Sequence, residues 1–205
     1  DICSGVVIEP TDVPPEIRHA QMVYTAMKYS AKPFMGSAMG LQGARDSIQM
    51  ASILFGSQNE LSLKPRMISI LCSLTPLVYD ERMLGAIMEY AQVGQPQLIS
   101  SLGIAGATSP VTLAGTLAVQ NAEVLAGIVF TQLIREGTPV VFAGASSSVD
   151  MHIGALSIGS PEMTLNTAAT AQMARFYGLP VRSGGAVCDA KSPDAFLLAE
   201  RFPMQ

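Results

Sequence analysis

A short apolar run, a turn rich in Gly, Ser and Thr, and then a helical stretch recur along this chain. That repeat constrains the fold more than any other feature. Strand-like runs begin at Pro33, Met67, Gln97, Val140 and Val181, at intervals of roughly 30 to 43 residues, the length of a βα unit. A weaker first instance is Gly5–Ile8, followed by a helix over Glu16–Tyr29. The runs at Met67–Leu71 and Val140–Ala143 do not alternate apolar with polar, as expected of parallel strands covered on both faces. Helices are expected over Ala44–Phe55, from Asp80 to Gly94, from Ser109-Pro110 to Gly137, from Ser160-Pro161 to Tyr177, and from Ser192 onward. Acidic residues after Asp80 suit the positive end of a helix dipole, and Ser followed by Pro is a strong helix start. The stretch from Gly144 to Gly159 reads as a long polar loop.

Strict alternation of strands and helices leaves a closed barrel or an open doubly wound sheet. No strand is followed by a GxGxxG turn, and small polar residues follow strand after strand, as in a barrel that builds its site from many βα loops. The fold class is therefore α/β, a parallel (β/α)8 TIM-type barrel, here a partial barrel of about six βα units. Residues 1–205 form part of a single domain. A complete barrel takes about 250 residues, so six units leave exposed strand edges. The expectation is a longer parent chain, or a piece that is not stable alone; a homo-oligomer is one possible assembly.

Composition narrows the function. About half the chain is apolar and the net charge is −4, which gives no electrostatic reason to track nucleic acid. Mean hydropathy is +0.35, yet Gln120, Asn121, Glu123 and Gln132 interrupt the most apolar stretch, Val111–Ile134. Its longest clean run, Val124–Phe130, falls far short of the roughly 20 residues of a spanning helix. It reads as a buried helix, with no membrane partner. Cys3, Cys72 and Cys188 are scattered and odd in number, without metal-ligand spacing. A reducing cytoplasm fits.

Several segments resemble one family. They are Ser73-Leu74-Thr75-Pro76-Leu77-Val78-Tyr79-Asp80, Ala105-Gly106-Ala107-Thr108-Ser109-Pro110-Val111-Thr112-Leu113-Ala114-Gly115, and Gln120-Asn121-Ala122-Glu123-Val124-Leu125-Ala126-Gly127. Gly159-Ser160-Pro161-Glu162, Tyr177-Gly178-Leu179-Pro180, Gly184-Gly185, Asp189-Ala190-Lys191 and Pro193-Asp194-Ala195 follow in order. Over roughly residues 65 to 195 the chain resembles the trimethylamine methyltransferase family. After Ala195, Phe196–Phe202 departs from the family pattern. The resemblance implies a barrel that moves a methyl group from an N-methylated amine to the Co(I) of a corrinoid (cobalamin) carried by a cognate partner protein, with no cofactor bound directly. Archaeal trimethylamine enzymes of the family carry pyrrolysine, whereas many bacterial relatives lack it and use quaternary amines such as glycine betaine. This chain has no non-standard residue and resembles the second group.

Such chemistry needs the amine held in line with cobalt and water excluded; it needs no catalytic triad and no metal ligands from the protein, and the catalytic residues stay unassigned. The strand-end loops supply the candidates. Ser100, Ser101 and Thr108 either line the site mouth or shape a turn. Ser146, with Ser147 and Ser148, offers hydroxyls to a substrate carboxylate. Asp150 either faces a cationic amine or caps its own turn, and His152 reads as structural. Gly184 and Gly185 allow close backbone approach, with Asp189 beyond them. Lys191 reads as a surface residue and Cys188 as packing. Tyr79 and Phe142 are the aromatic faces best placed for a quaternary ammonium, with core packing the competing role for Phe142. Two other readings stand beside this one. The first is a truncated, non-catalytic remnant. The second is a barrel enzyme for a phosphorylated or carbonyl substrate, which would want a phosphate at a glycine-rich helix start.

Overall fold

The computed structural model describes residues 9–184. The expected strand at Gly5–Ile8, the end of the Val181–Val187 strand, the helix from Ser192, and the candidates Gly185 and Asp189 lie outside the described residues. Helix α1 (Pro15–Tyr29) leads into β1 (Phe34–Met35), α2 (Gly40–Phe55), the short α3 (Gln58–Leu63) and β2 (Met67–Cys72). Then come α4 (Glu81–Gln92), β3 (Gln97–Ser101), β4 (Ile104–Ala105), α5 (Leu113–Ile134), β5 (Val140–Gly144), β6 (Ser147–Asp150), β7 (Ala155–Ser157), α6 (Pro161–Phe176) and β8 (Val181–Ser183). The five main strands form one sheet in the order β1-β2-β3-β5-β8, with β1 parallel to β2 and β5 parallel to β8. Each strand reaches its neighbour through a helix. The fold is thus mixed α/β with a parallel sheet, part of a TIM-type barrel.

Two of the expected helix starts form as read. Asp80 accepts a hydrogen bond from Met83 N at 2.8 Å, and Ser160 accepts one from Met163 N at 3.3 Å, each satisfying a first-turn N–H that has no partner within the helix. The third does not. Ser109 is held in a closed turn, its N–H donating to Ile104 O at 3.0 Å, and Thr112 caps α5 instead by accepting from Gly115 N at 3.2 Å. Helix α2 begins a turn earlier than expected, at Gly40. The expected polar loop at Gly144–Gly159 contains the antiparallel pair β6–β7, with β4 beside β6 in a second, three-stranded sheet.

Contacts divide the chain into two compact units. The first comprises residues 1–71, 79–98 and 128–140; the second comprises residues 72–78, 99–127 and 141–205. In the first, Tyr90 is fully buried and donates to Ser37 O at 2.7 Å, which fixes the turn after β1. A Cβ on Gly36 would meet Tyr90 Oη at 2.3 Å, so this turn requires glycine. Gln95 and Gln97, both fully buried, donate to Leu61 O at 2.6 Å and Ile87 O at 2.9 Å. Here buried amides tie strand ends to helices through paired donors.

The second unit holds the C-terminal residues of β2, β3 and β5, together with β8, α6 and the N-terminal part of α5. A network of polar groups lies on the helix-facing side of its sheet. Gln120 of α5 donates to Thr170 Oγ1 of α6 at 2.8 Å and accepts from Ser146 Oγ at 2.7 Å. A Cβ on Gly144 would fall 2.4 Å from the Gln120 amide. Helix α5 is, among the described residues, the one long and apolar enough to cross a bilayer by length and composition, and only 28% of its most apolar stretch is buried within this chain. The expectation of a wholly buried helix therefore needs correction: Val129 and Leu133 are exposed. Its buried stripe is largely polar, formed by Thr116, Gln120, Glu123, Gly127 and Thr131 at three- and four-residue spacing, with Val124 beside it.

Candidate functional site at the strand ends

The C-terminal ends of parallel strands are where barrel enzymes place their chemistry, and the second unit contains those of β2, β3, β5 and β8. Backbone bonding sets the register. Ser73 N donates to Ser100 O at 3.0 Å, and Ala145 N donates to Ser101 O at 3.2 Å; Ala143 pairs with Arg182. Two rows follow, because side chains alternate between faces along each strand. One row is Ser73, Ser101, Gly144 and Ser183. The other is Cys72, Ser100, Ala143 and Arg182.

The first row faces the helices and is anchored by Glu123 of α5. This carboxylate is 2% exposed. It accepts from Ser73 Oγ at 2.5 Å, Thr75 Oγ1 at 2.9 Å and Leu77 N at 2.7 Å. Ser101 Oγ acts on it too, without the geometry of a formed hydrogen bond. Burial pushes the Glu123 carboxyl up. The nearby hydroxyls of Ser101, Ser73 and Thr75 and the Leu77 N–H together outweigh burial and hold it below its ordinary value. Glu123 is therefore an anion at neutral pH that grips the loop after β2. Leu77 there has φ 57°, a left-handed conformation that costs a branched residue on the order of 1 kcal/mol. The hydrogen bond to its N–H holds it in place.

The second row faces away from α5 and α6. Arg182 is exposed and Cys72 half-buried, while Ser100 and Ala143 between them are buried. Burial pushes the Cys72 thiol up, against the opposing influence of the Ser100 hydroxyl and the positive charge of Arg182, so Cys72 is a neutral thiol rather than a nucleophile. Among the described residues, the Arg182 guanidinium has no hydrogen bond or ion pair. Arg18, Arg45, Arg82 and Arg135 each hold an acceptor within the fold, whereas among the described residues the side chains of Arg66, which lies over the Phe55 ring, and Arg175 are, like that of Arg182, without one.

The sequence candidates fall in different places. Ser101 lies on the helix-facing row, and Ser100 on the opposite one. Thr108 accepts from Ile104 N at 3.0 Å and closes the β4 turn. Ser146 is buried between Gly103 N, from which it accepts at 2.9 Å, and Gln120. Phe142 is fully buried, with its ring stacked on Tyr177 at 6.0 Å; its face is covered by a protein ring. Asp150 sits at the β6–β7 turn and accepts from His152 N at 2.8 Å, the local capping role. Gly184 packs against Met163 and Ala145. Tyr79 is half-buried and belongs to the first unit. The first unit also has a cleft of about 350 Å³ lined by Met22, Met35, Gly36, Ser37 and Ile70. At its edge His19 Nε2 meets Asp46 Oδ2 at 2.7 Å, a contact that, as its first cause, holds the Asp46 carboxyl below its ordinary value.

Sequence reasoning passed over Arg182 and Glu123. Arg182 carried a signal, a lone charge inside a strand two residues before Gly184. So did Glu123, one member of a polar stripe at helical spacing through an apolar helix.

A parallel sheet with helical crossovers and polar groups at its strand ends is the plan of a TIM-type barrel enzyme. This chain belongs to the trimethylamine methyltransferase (MTTB) family, whose profile matches residues 1–202. The match runs past Ala195, so the apparent departure at Phe196–Phe202 lies within the family's span. The chain is 54% identical over 194 residues, 95% of its length, to a glycine betaine methyltransferase of Desulfitobacterium hafniense (strain Y51). It is 36% identical over 88% of its length to a proline betaine:corrinoid methyltransferase of Eubacterium limosum. It is 40% identical over 68% of its length to the trimethylamine methyltransferase MttB of Methanosarcina thermophila. It spans 40%, 38% and 29% of those relatives, respectively.

Proposed function

We propose that the native polypeptide containing this chain transfers a methyl group from an N-methylated quaternary amine of the glycine betaine type to the Co(I) of a corrinoid carried by a separate protein. The observation that carries this reading is the strong likeness to a glycine betaine methyltransferase along nearly the whole chain. In the reaction cobalt supplies the electron pair, the carbon–nitrogen bond breaks, and the nitrogen keeps its pair to leave as the tertiary amine. The protein has no proton to move in that step. Its work is to hold the ammonium methyl in line with the metal and to keep water out.

The second unit fits that work. Glu123 and Gln120 pin the loops after β2 and β5 from behind the sheet, so the strand ends form a stiff frame. Ser101, Thr108, Ser146, Phe142 and Asp150 act on the site through that frame. Gly184, at the end of β8, is proposed to approach the substrate directly.

The test is optical. The longest native form of the chain is mixed with a reduced Co(I) corrinoid protein and offered glycine betaine, carnitine, proline betaine, choline and trimethylamine in turn. Conversion of Co(I) to methyl-Co(III) with a betaine supports the reading. No conversion with any donor, against a corrinoid protein shown to be active, rejects it.

A further inference from the structure

The row Cys72, Ser100, Ala143 and Arg182 has an unusual make-up for a strand-end face. Three side chains are small and nearly neutral, and the fourth is a cation. Cross-strand neighbours lie about 4.8 Å apart, so the four residues form one row across four strands, with the exposed guanidinium at one end and the buried Ser100 and Ala143 in the middle. The charge of Arg182 acts on Cys72 of the same row, and its head has no acceptor among the described residues. Arg182 nevertheless sits in register with Ala143 at the middle of β8, where a charge needs a reason.

An arginine fork presents paired N–H donors matched to a carboxylate. A methylated ammonium with no anionic group gains nothing from such a residue and is repelled by it. A quaternary amino acid, neutral overall, gains a bidentate contact through its carboxylate while its ammonium stays clear of the guanidinium.

We propose that Arg182 is the carboxylate-binding residue of the substrate site, on the strand-end row it shares with Cys72, Ser100 and Ala143, and that it restricts the donor to betaines, molecules carrying a quaternary ammonium and a carboxylate together. This assignment rests on the functional reading above and deepens it. Arg182 touches the substrate but not the transferred methyl, so its loss acts on binding more than on the chemical step.

The experiment compares wild type, Arg182→Gln and Arg182→Lys in the longest native form, with glycine betaine and with choline as donors. A charge-assisted hydrogen bond of this kind corresponds to roughly a 10- to 100-fold effect. Arg182→Gln is expected to lower kcat/KM for glycine betaine by about that factor, mainly through KM, and to leave the rate with choline unchanged or raised; Arg182→Lys restores part of the loss. An equal fall with both donors, or no change with glycine betaine, overturns the assignment. A second measurement needs no variant. 3,3-Dimethylbutyrate, which keeps the carboxylate but has carbon in place of nitrogen, is expected to compete with glycine betaine for the wild-type protein, whereas 3,3-dimethylbutanol is not. Equal competition by the alcohol overturns the assignment. Wild type that methylates no corrinoid from any donor rejects the functional reading; calorimetric binding of the butyrate that is lost in Arg182→Gln would still uphold the carboxylate site.

Discussion

Replacing Glu123 removes the acceptor that holds the loop after β2. Glu123→Ala leaves Leu77 N–H and two hydroxyl donors without their partner. The hydroxyls of Ser73 and Thr75 can turn to other acceptors, but the backbone N–H cannot, and Leu77 loses what holds it at positive φ. Leaving this part-buried donor unpaired costs about 1 kcal/mol, and the loss of the cluster as a whole comes to about 2–3 kcal/mol. Glu123→Gln keeps one oxygen for Leu77 N–H and asks only the hydroxyls to reverse, for about 1–2 kcal/mol. The sign of the pH dependence follows from the lowered carboxyl of the folded state. Such a group contributes stability that is complete above its ordinary value of 4.5 and is lost as pH falls through its lower folded value. Urea unfolding followed by circular dichroism at pH 7 is therefore expected to rank wild type above Glu123→Gln above Glu123→Ala. The gap between wild type and Glu123→Gln should shrink as pH drops below 4.5. A Glu123→Gln protein as stable as wild type at pH 7, or a gap that widens in acid, would refute the claim that an ionised Glu123 braces the loop.

Other outcomes follow from the same geometry. Gly144→Ala places a methyl against the Gln120 amide and should destabilise by about 1–3 kcal/mol, an effect that Gln120→Ala in the same chain should reduce; thermal melts of the two variants check this. Phe142→Leu should cost about 1–2 kcal/mol in unfolding experiments while leaving the KM for a methyl donor unchanged, since the ring is occupied by Tyr177; a selective rise in KM would instead place it at the substrate. Asp46→Asn should lose about 0.5–1 kcal/mol at pH 7, a modest value because the pair with His19 is partly solvated. Since the Asp46 carboxyl is lowered on folding, that difference should fade as pH falls through its folded value, as read by denaturant midpoints across pH.

Much of the frame was legible because its signals are local. The strand at Gln97–Ser101 has the expected bounds, and the capping residues at Asp80 and Ser160 declare themselves through one side chain and one turn. Ser57, three residues before Glu60, carried the same kind of signal for α3. Ser109-Pro110 misled because the same residues also close a tight turn, and the turn took them. The β6–β7 pair was hidden because its strands are short and largely solvated, so burial imposes no alternation on them. The second row was hidden for a different reason. Cys72, Ser100, Ala143 and Arg182 lie on strands roughly 30 to 43 residues apart, and no local pattern states which residue meets which across parallel neighbours. Period-two alternation alone pairs Phe142 with Val140 and Gly144; only the helix packed on that face shows that the ring points into the protein.

The most direct test of methyl transfer follows the carbon itself. Glycine betaine carrying deuterated N-methyl groups is supplied to the longest native form of the chain with a reduced corrinoid protein, and the corrinoid is analysed by mass spectrometry. Direct methyl transfer predicts a deuterated methyl on cobalt, with dimethylglycine released in equal amount. A corrinoid that stays unmethylated while the betaine is consumed, or dimethylglycine formed without labelled methyl on cobalt, would contradict it.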